Sequence, residues 1–290
     1  MKNLQNNPER AKEIYDLYAG DMEQNIEIPF GVIDAARIHQ ISANNQFAPE
    51  PLGERPASFS VKNCLDISHL FILPSYFNHS CLANSQRSFY GDVIVIHAVA
   101  DIKKGEEICL AYICPMLGFS ERKQKLKSWK FTCQCKLCEL DSKDEYCSQR
   151  EKIMEELIKY QKICSPDAFI VKCEPILKKI RDTYADRKEF KTLLAQALII
   201  ISPAYFNTGN RTKSVEYLEE VATLMNNSLK YTGTMRSTYV YLGYCYLSLS
   251  NISKFKEVIQ KAMKMSFCDD MELFAMLYPN TTEFLYLLSL

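Results

Sequence analysis

The stretch FTCQCKLCEL, residues 131–140, places Cys133, Cys135 and Cys138 within six positions. Sulfur at that density restricts what the surrounding chain can become, because three thiolates can enter the shell of one metal ion and tetrahedral zinc then needs a fourth ligand. The best source is NHSCLAN, Asn78 to Asn84, where Cys81 follows LFILPSYF, which reads as a buried strand. Cys81 with Cys133, Cys135 and Cys138 would make a closed, all-thiolate zinc site of the structural kind, with no position left for water. Such a site would pin the cysteine knuckle across the strand region and contribute about 10 kcal/mol or more of folding free energy. His79 is the competing ligand, although its place beside Cys81 makes ligation by both awkward. The bland alternative is three thiols that are buried or reactive and bind nothing.

Cysteine usage elsewhere points away from a disulfide framework and toward thiols or metal. The chain has 12 cysteines, and Cys64, Cys109, Cys114, Cys147, Cys164, Cys173, Cys245 and Cys268 lie singly, as small buried residues do. The N-terminal MKNLQNNPERAKEIYDLY is polar with a helical pattern and lacks the apolar core of a signal peptide. Apolar runs such as Ala197–Ile201 are far too short to span a bilayer. The expected setting is therefore the reducing cytoplasm or nucleus, where a disulfide framework is not the default. With 35 basic and 35 acidic residues, no net charge draws the chain toward nucleic acid or an anionic membrane.

The texture of the 290 residues changes along the chain. Residues 8–45 read as helical, with Pro8 at a first helical position and Ile14, Leu17 and Tyr18 on one face. Residues 46–60 hold three prolines and a glycine and read as a loop. From Val61 to Ile113, short apolar runs such as VIVIHAVA (93–100) and EICLAYI (107–113) read as strands, with turns at Gly91-Asp92 and Lys104-Gly105. Residues 116–130 are basic, carrying Arg122, Lys123, Lys125, Lys127 and Lys130, and read as a solvated helix face or, less simply, a docking surface for an acidic partner. Nucleic acid is a poor match, since this basic stretch is short and offers only Trp129 for stacking. Beyond Asp141 amphipathic helices are expected at 147–162, 170–184, 188–206, 212–227, 234–249, 252–265 and 270–288. Tyr239, Leu242, Gly243, Tyr246, Ile259 and Ala262 follow the spacing of a tetratricopeptide repeat, in which small residues let paired helices approach, although Phe255 stands where a small residue is usual. A non-repeating helical bundle is the alternative.

The order NHSCLAN, DIKKGEEICLAYI, a basic helix and then FTCQCKLC closely resembles the C-terminal half of a SET domain with its post-SET segment, most similar to SMYD-type and tetratricopeptide-SET proteins. The resemblance covers residues 61–140 well and the rest weakly. It implies an α+β fold: a β-rich SET-like core with a post-SET zinc site, followed by an α-helical, TPR-like C-terminal array. The implied division is a helical insert-like region and loop (1–60), SET core (61–115), post-SET segment (116–140) and helical domain (141–290). The implied activity is methyl transfer from S-adenosylmethionine to a lysine of a protein substrate, with the helical array able to carry a protein partner. Asn78 and His79 would line the cofactor pocket, with Ser75 a further pocket residue, and Phe131 would close the lysine channel and pack on the cofactor. Tyr112 matches the catalytic tyrosine, which orients an amine that must first lose the proton it holds with an ordinary pKa of about 10.4.

Three departures stand beside this resemblance. No Gly-x-Gly turn, which in SET domains embraces the methionine end of the cofactor, occurs in the sequence. The MYND zinc module of SMYD proteins is absent as well, and Ala83 replaces the proline usual before Asn84. These departures imply either a piece of a longer methyltransferase or a shortened protein. The competing function is a catalytically inactive, SET-derived, zinc-stabilised interaction module that works through its helical array.

Overall fold

The computed structural model describes residues 6–23, 26–47, 69–90, 93–225, 229, 233–265, 270–272 and 274. Expectations for residues 48–68, the Gly91-Asp92 turn, Cys64, Cys268 and most of the segment 270–288 fall outside the described residues. The chain forms two compact units. One lies within Met1–Glu50, Val61–Ile113 and Lys123–Cys133, and the other within Cys114–Arg122 and Gln134–Leu290.

The first unit begins with α1 (Pro8–Tyr15) and α2 (Ala35–Asn45) rather than one helical region to residue 45. Gly20 and Gly31 adopt left-handed backbone, with φ of 68° and 82°, and Pro29 lies between them, so the helical ladder cannot continue. Asp34 restarts it, its carboxylate accepting from the Arg37 amide at 2.9 Å as an N-cap. The two helices bury Leu17, Ala19 and Ile41 in a small core that also takes Leu70.

The strands are short. β1 (Gln46–Phe47) pairs antiparallel with β2 (His69–Leu70), and β3 (Asn78–His79) runs parallel to β6 (Cys109–Leu110). Only β4 (Ser85–Tyr90) and β5 (Val93–Ala98) make a longer hairpin, registered from Ser85 opposite Ala98 to Tyr90 opposite Val93. The expected buried strand LFILPSYF is instead mostly a 3-10 turn, Leu73–Tyr76, with Leu73 72% and Tyr76 56% exposed. Pro74 cannot donate to a ladder, which explains the change. In EICLAYI the ladder stops after Leu110 because side chains of β4 take over: Ser85 donates to the Cys109 carbonyl at 2.7 Å and Arg87 to that of Ala111 at 2.8 Å.

The second unit is helical. It holds the start of α3 (Phe119–Leu126), as far as Arg122, and α4 (Lys136–Lys143), after which come α5 (Cys147–Ile163), α6 (Pro166–Thr183), α7 (Thr192–Asn207), α8 (Arg211–Met225), α9 (Gly233–Ser248) and α10 (Ile252–Met265). From α5 onward each helix packs on the next in sequence, which is how an amphipathic segment with short connections buries its apolar face. Where α9 meets α10 the approach is close: a Cβ on Gly243 would stand 2.8 Å from Ile259 Cδ1. Cys245, Ile259, Ala262 and Phe274 are almost fully enclosed there. The basic segment before the knuckle is only partly a solvated face. Its lysines are exposed, but Arg122 on α3 is buried, at 1% exposure.

Candidate active site and metal centre

The parallel pairing of β3 with β6 sets Asn78 opposite Cys109 and His79 opposite Leu110, which carries Tyr112 alongside the NHSC segment. Asn84 fastens this arrangement from one side chain. Its Oδ1 accepts from the Cys109 amide at 2.9 Å and its Nδ2 donates to the Glu107 carbonyl at 2.8 Å. The turn that Ala83 leaves without a proline is thus held by an amide clasp.

His79 faces two ways. The Tyr112 amide donates to its Nδ1 at 2.9 Å, which puts the ring proton on Nε2, and Nε2 lies 3.3 Å from Cys81 Sγ. His79 therefore stands as a hydrogen-bond donor to the Cys81 sulfur, not as a competitor for its place. The Tyr112 hydroxyl donates to the Phe77 carbonyl at 2.6 Å, so its oxygen keeps both lone pairs for another donor. Burial, with the charges of Cys109 and Glu107 adding to it, pushes the Tyr112 phenol above its ordinary pKa.

Around Tyr112 the rings gather. His79 lies 5.3 Å away between centroids, Trp129 5.2 Å and Phe131 6.4 Å, and Phe131 is 5.8 Å from His79. Phe131 is 37% exposed, so it forms an outer edge of this aromatic wall and not its interior. Trp129 is fixed by its indole N–H, which donates to the Asn44 carbonyl at 3.0 Å at the end of α2. Between the two aromatics Lys130 takes left-handed backbone, φ 58°, and turns the chain. Sequence reasoning missed Trp129 as a wall residue. Its position two residues before Phe131, as the chain's single tryptophan, was the available signal. Glu107 was missed too: it accepts from Asn78 Nδ2 at 2.6 Å and places a carboxylate beside the exposed Asn78 side chain. Ser75 contributes differently from the other expected residues, since its hydroxyl is spent on the Phe71 carbonyl at 2.7 Å, inside the 3-10 turn.

The four expected sulfurs converge. The Sγ atoms of Cys81, Cys133, Cys135 and Cys138 all lie within 4.8 Å of one another. Four sulfurs bonded tetrahedrally to zinc at about 2.3 Å stand about 3.8 Å apart, so a small contraction of this cluster would fit the ion. The donor set suits it as well, being four soft thiolates with no carboxylate among them. Cys81 and Cys138 are buried, while Cys135 caps the start of α4, its carbonyl accepting from the Glu139 amide at 2.9 Å.

Comparison with known proteins points the same way. The family model described as the SET domain matches residues 5–113. The protein-lysine N-trimethyltransferase SMYD5 of Mus musculus is 35% identical over 96 residues, 31% of this chain and 23% of that protein. The human N-lysine methyltransferase SMYD2 is 23% identical over 224 residues, 68% of this chain and 51% of that protein. A Gibberella zeae protein named methyltransferase is 27% identical over 154 residues, 48% of this chain and 21% of its own length. The chain thus spans about half or less of the length of these relatives. Residues 5–113 thus match a SET domain, and the chain is similar to SMYD lysine methyltransferases.

Proposed function

We propose that the protein transfers a methyl group from S-adenosylmethionine to the side-chain amine of a protein lysine. The observation that carries this reading is Tyr112, its hydroxyl proton committed to the Phe77 carbonyl and its ring set among His79, Trp129 and Phe131. When bound, the methyl donor would supply an electrophilic methyl on a positively charged sulfur. Electron-rich ring faces and the Glu107 carboxylate beside Asn78 suit a cationic ligand, and Asn78 and His79 are the residues that would hold it. Ser75 would shape that pocket through its turn, and Phe131 would cover the channel from outside.

A lysine entering this wall would lose water, and desolvation disfavours its ammonium form, so the neutral amine needed for attack becomes accessible. Tyr112 would then accept a hydrogen bond from the amine and aim its lone pair. Its raised pKa keeps it a neutral phenol, which avoids an anion that would restore the ammonium. Holding the amine in line supplies much of the rate without a dedicated base.

Zinc on Cys81, Cys133, Cys135 and Cys138 would be structural, because four thiolates leave no site for water. Cys81 receives the His79 N–H and Cys133 follows Phe131 by two residues, so the metal would steady two members of the wall. In this reading residues 116–140 are the post-SET segment and the helices beyond 141 form a TPR-like array able to hold a protein partner, in a reducing compartment, the cytoplasm or nucleus.

The test is incubation with labelled S-adenosylmethionine and mixed histones or cell extract, beside Tyr112→Phe, with calorimetry against S-adenosylhomocysteine. Tyrosine-dependent label on protein and measurable heat are expected. Neither label nor heat, with a protein partner still bound, would assign the chain instead to the zinc-stabilised interaction modules.

A further inference from the structure

Arg122 is the one member of the basic segment 116–130 that the structure buries among charged groups, and its surroundings extend from the knuckle into the helices. Its Nη2 donates to Asp141 Oδ2 at 2.5 Å and also lies 3.8 Å from Cys138 Sγ, while Nη1 donates to the Leu117 carbonyl at 2.5 Å. Asp141 passes the contact on: its Oδ1 accepts from Arg187 at 2.6 Å, and the same Arg187 nitrogen reaches Asp144 at 3.0 Å. Asp144 also accepts twice from Arg150, at 2.7 and 3.1 Å. Arg150 ends the series on Thr183 at the last turn of α6, donating to its hydroxyl at 3.1 Å and its carbonyl at 2.5 Å. Tyr184 covers the assembly, with the Arg150 guanidinium 3.8 Å above its ring.

The charges in this network are three guanidiniums, Arg122, Arg150 and Arg187, and two carboxylates, Asp141 and Asp144. All five side chains are 12% exposed or less. Buried charge is tolerated when it is paired. Beside the Asp141 carboxylate and the Leu117 carbonyl, the Cys138 sulfur is a further acceptor set against the Arg122 guanidinium. Four thiolates around a divalent ion carry net negative charge, which a neighbouring guanidinium offsets.

We propose that Arg122 is a positioning residue for the metal centre: it donates to the Cys138 thiolate, and Asp141, Arg187, Asp144 and Arg150 anchor it to the end of α6. This inference rests on the zinc reading above. It makes zinc retention depend on a guanidinium that is not a ligand, and it makes the end of α6 respond to loss of the ion. Neighbours of metal ligands of this kind characteristically alter metal affinity by about 10- to 100-fold.

The experiment measures zinc release to a colorimetric chelator from the full chain and from Arg122→Lys, Arg122→Gln and Arg181→Gln. The last breaks the bidentate Arg181–Glu220 pair on another face of the helices and serves as the control for general weakening. Release should be about 10-fold or more faster for Arg122→Gln, intermediate for Arg122→Lys, and unchanged for Arg181→Gln. Cobalt substituted for zinc should show a shifted thiolate charge-transfer band in the Arg122 variants alone. Parent protein that holds zinc, with Arg122 variants releasing it at the parental rate, overturns the inference and leaves the zinc reading standing. Parent protein that binds no zinc overturns both. If Arg122→Gln does not fold, hydrogen exchange on the unaltered chain decides: chelation should strip amide protection at the Thr183 end of α6, and unchanged protection there counts against the proposal.

Discussion

Two groups of cysteines in this chain have different surroundings. Cys173 on α6 and Cys245 on α9 are fully enclosed, and burial pushes their thiols up to about 12 and about 11. The charge of Glu174 adds to burial at Cys173, while a hydrogen bond with Ser214 works against it at Cys245. These are inert, apolar side chains that happen to contain sulfur. Cys81 and Cys138 are as buried, and Cys133 and Cys135 half-buried, but what sets all four apart is company: each meets three other sulfurs within 4.8 Å, and Cys138 also meets the Arg122 guanidinium. Burial alone makes a cysteine silent; convergence gives it the geometry to hold a metal. The count of 12 cysteines carries no functional information until that distinction is drawn.

The comparison is most easily broken at the knuckle. Cys135→Ser should take zinc from about one ion per chain to almost none by elemental analysis, at a cost of about 10 kcal/mol of metal-dependent folding energy. Cys245→Ser and Cys173→Ala should leave the metal content at the parental level, and metal lost equally from both groups would erase the contrast.

Next in size is the tyrosine beside the sulfurs. Tyr112→Phe should reduce methyl transfer by about 100-fold with little change in zinc content, because positioning of the amine is lost while the thiolates are untouched. The pH profile sharpens this point. Transfer should rise with pH as the lysine amine deprotonates, with no downturn from Tyr112 below about pH 10, since its phenol is raised above that ordinary value.

A smaller effect is expected from acid. Burial opposes ionisation of Asp144, but hydrogen bonds from Arg150, the Tyr146 amide and Arg187 outweigh it and hold the carboxyl below its ordinary range. A depressed carboxyl stabilises the fold above its unfolded pKa of about 3.9 and ceases to do so as pH falls through the folded value. The helical unit should therefore keep this contribution at neutral pH and lose it below about pH 4, and Asp144→Asn should flatten that part of a thermal-melting profile.

The smallest change tests the helices alone. Gly243→Ala would set a methyl 2.8 Å from Ile259, an overpacking cost of about 2 kcal/mol, offset by about 1 kcal/mol of better helix propensity. The net loss of about 1 kcal/mol should lower the melting temperature without altering zinc binding.

The helices were legible because amphipathic spacing is a local signal: the six expected segments from 147–162 to 252–265 answer to α5–α10 to within four residues at either end, the segment 170–184 beginning late because Pro166 already starts its helix. The convergence of the four cysteines was legible from ligand arithmetic. Of the strands, VIVIHAVA was legible as β5 (Val93–Ala98), but β3 and β6 were not, because their ladder is two residues long and much of the holding is done by Ser85, Arg87 and Asn84 reaching backbone groups far away in sequence. Trp129 and Arg122 were missed for a related reason. Each looked like a surface residue of a basic stretch, and only a distant partner, the Asn44 carbonyl or Asp141, reveals that Trp129 is half-buried and Arg122 buried.

The aromatic wall leans on main chain. Tyr112 gives its hydroxyl proton to the Phe77 carbonyl, Trp129 its indole proton to the Asn44 carbonyl, and His79 takes its hydrogen bond from the Tyr112 amide. A peptide group survives almost any exchange of the side chain attached to it, so positions 44 and 77 can drift in identity while the contacts endure. Vulnerability to mutation is thereby one-sided, concentrated in the rings themselves, and an engineer seeking to reshape the wall would find freedom at the supports and none at the faces.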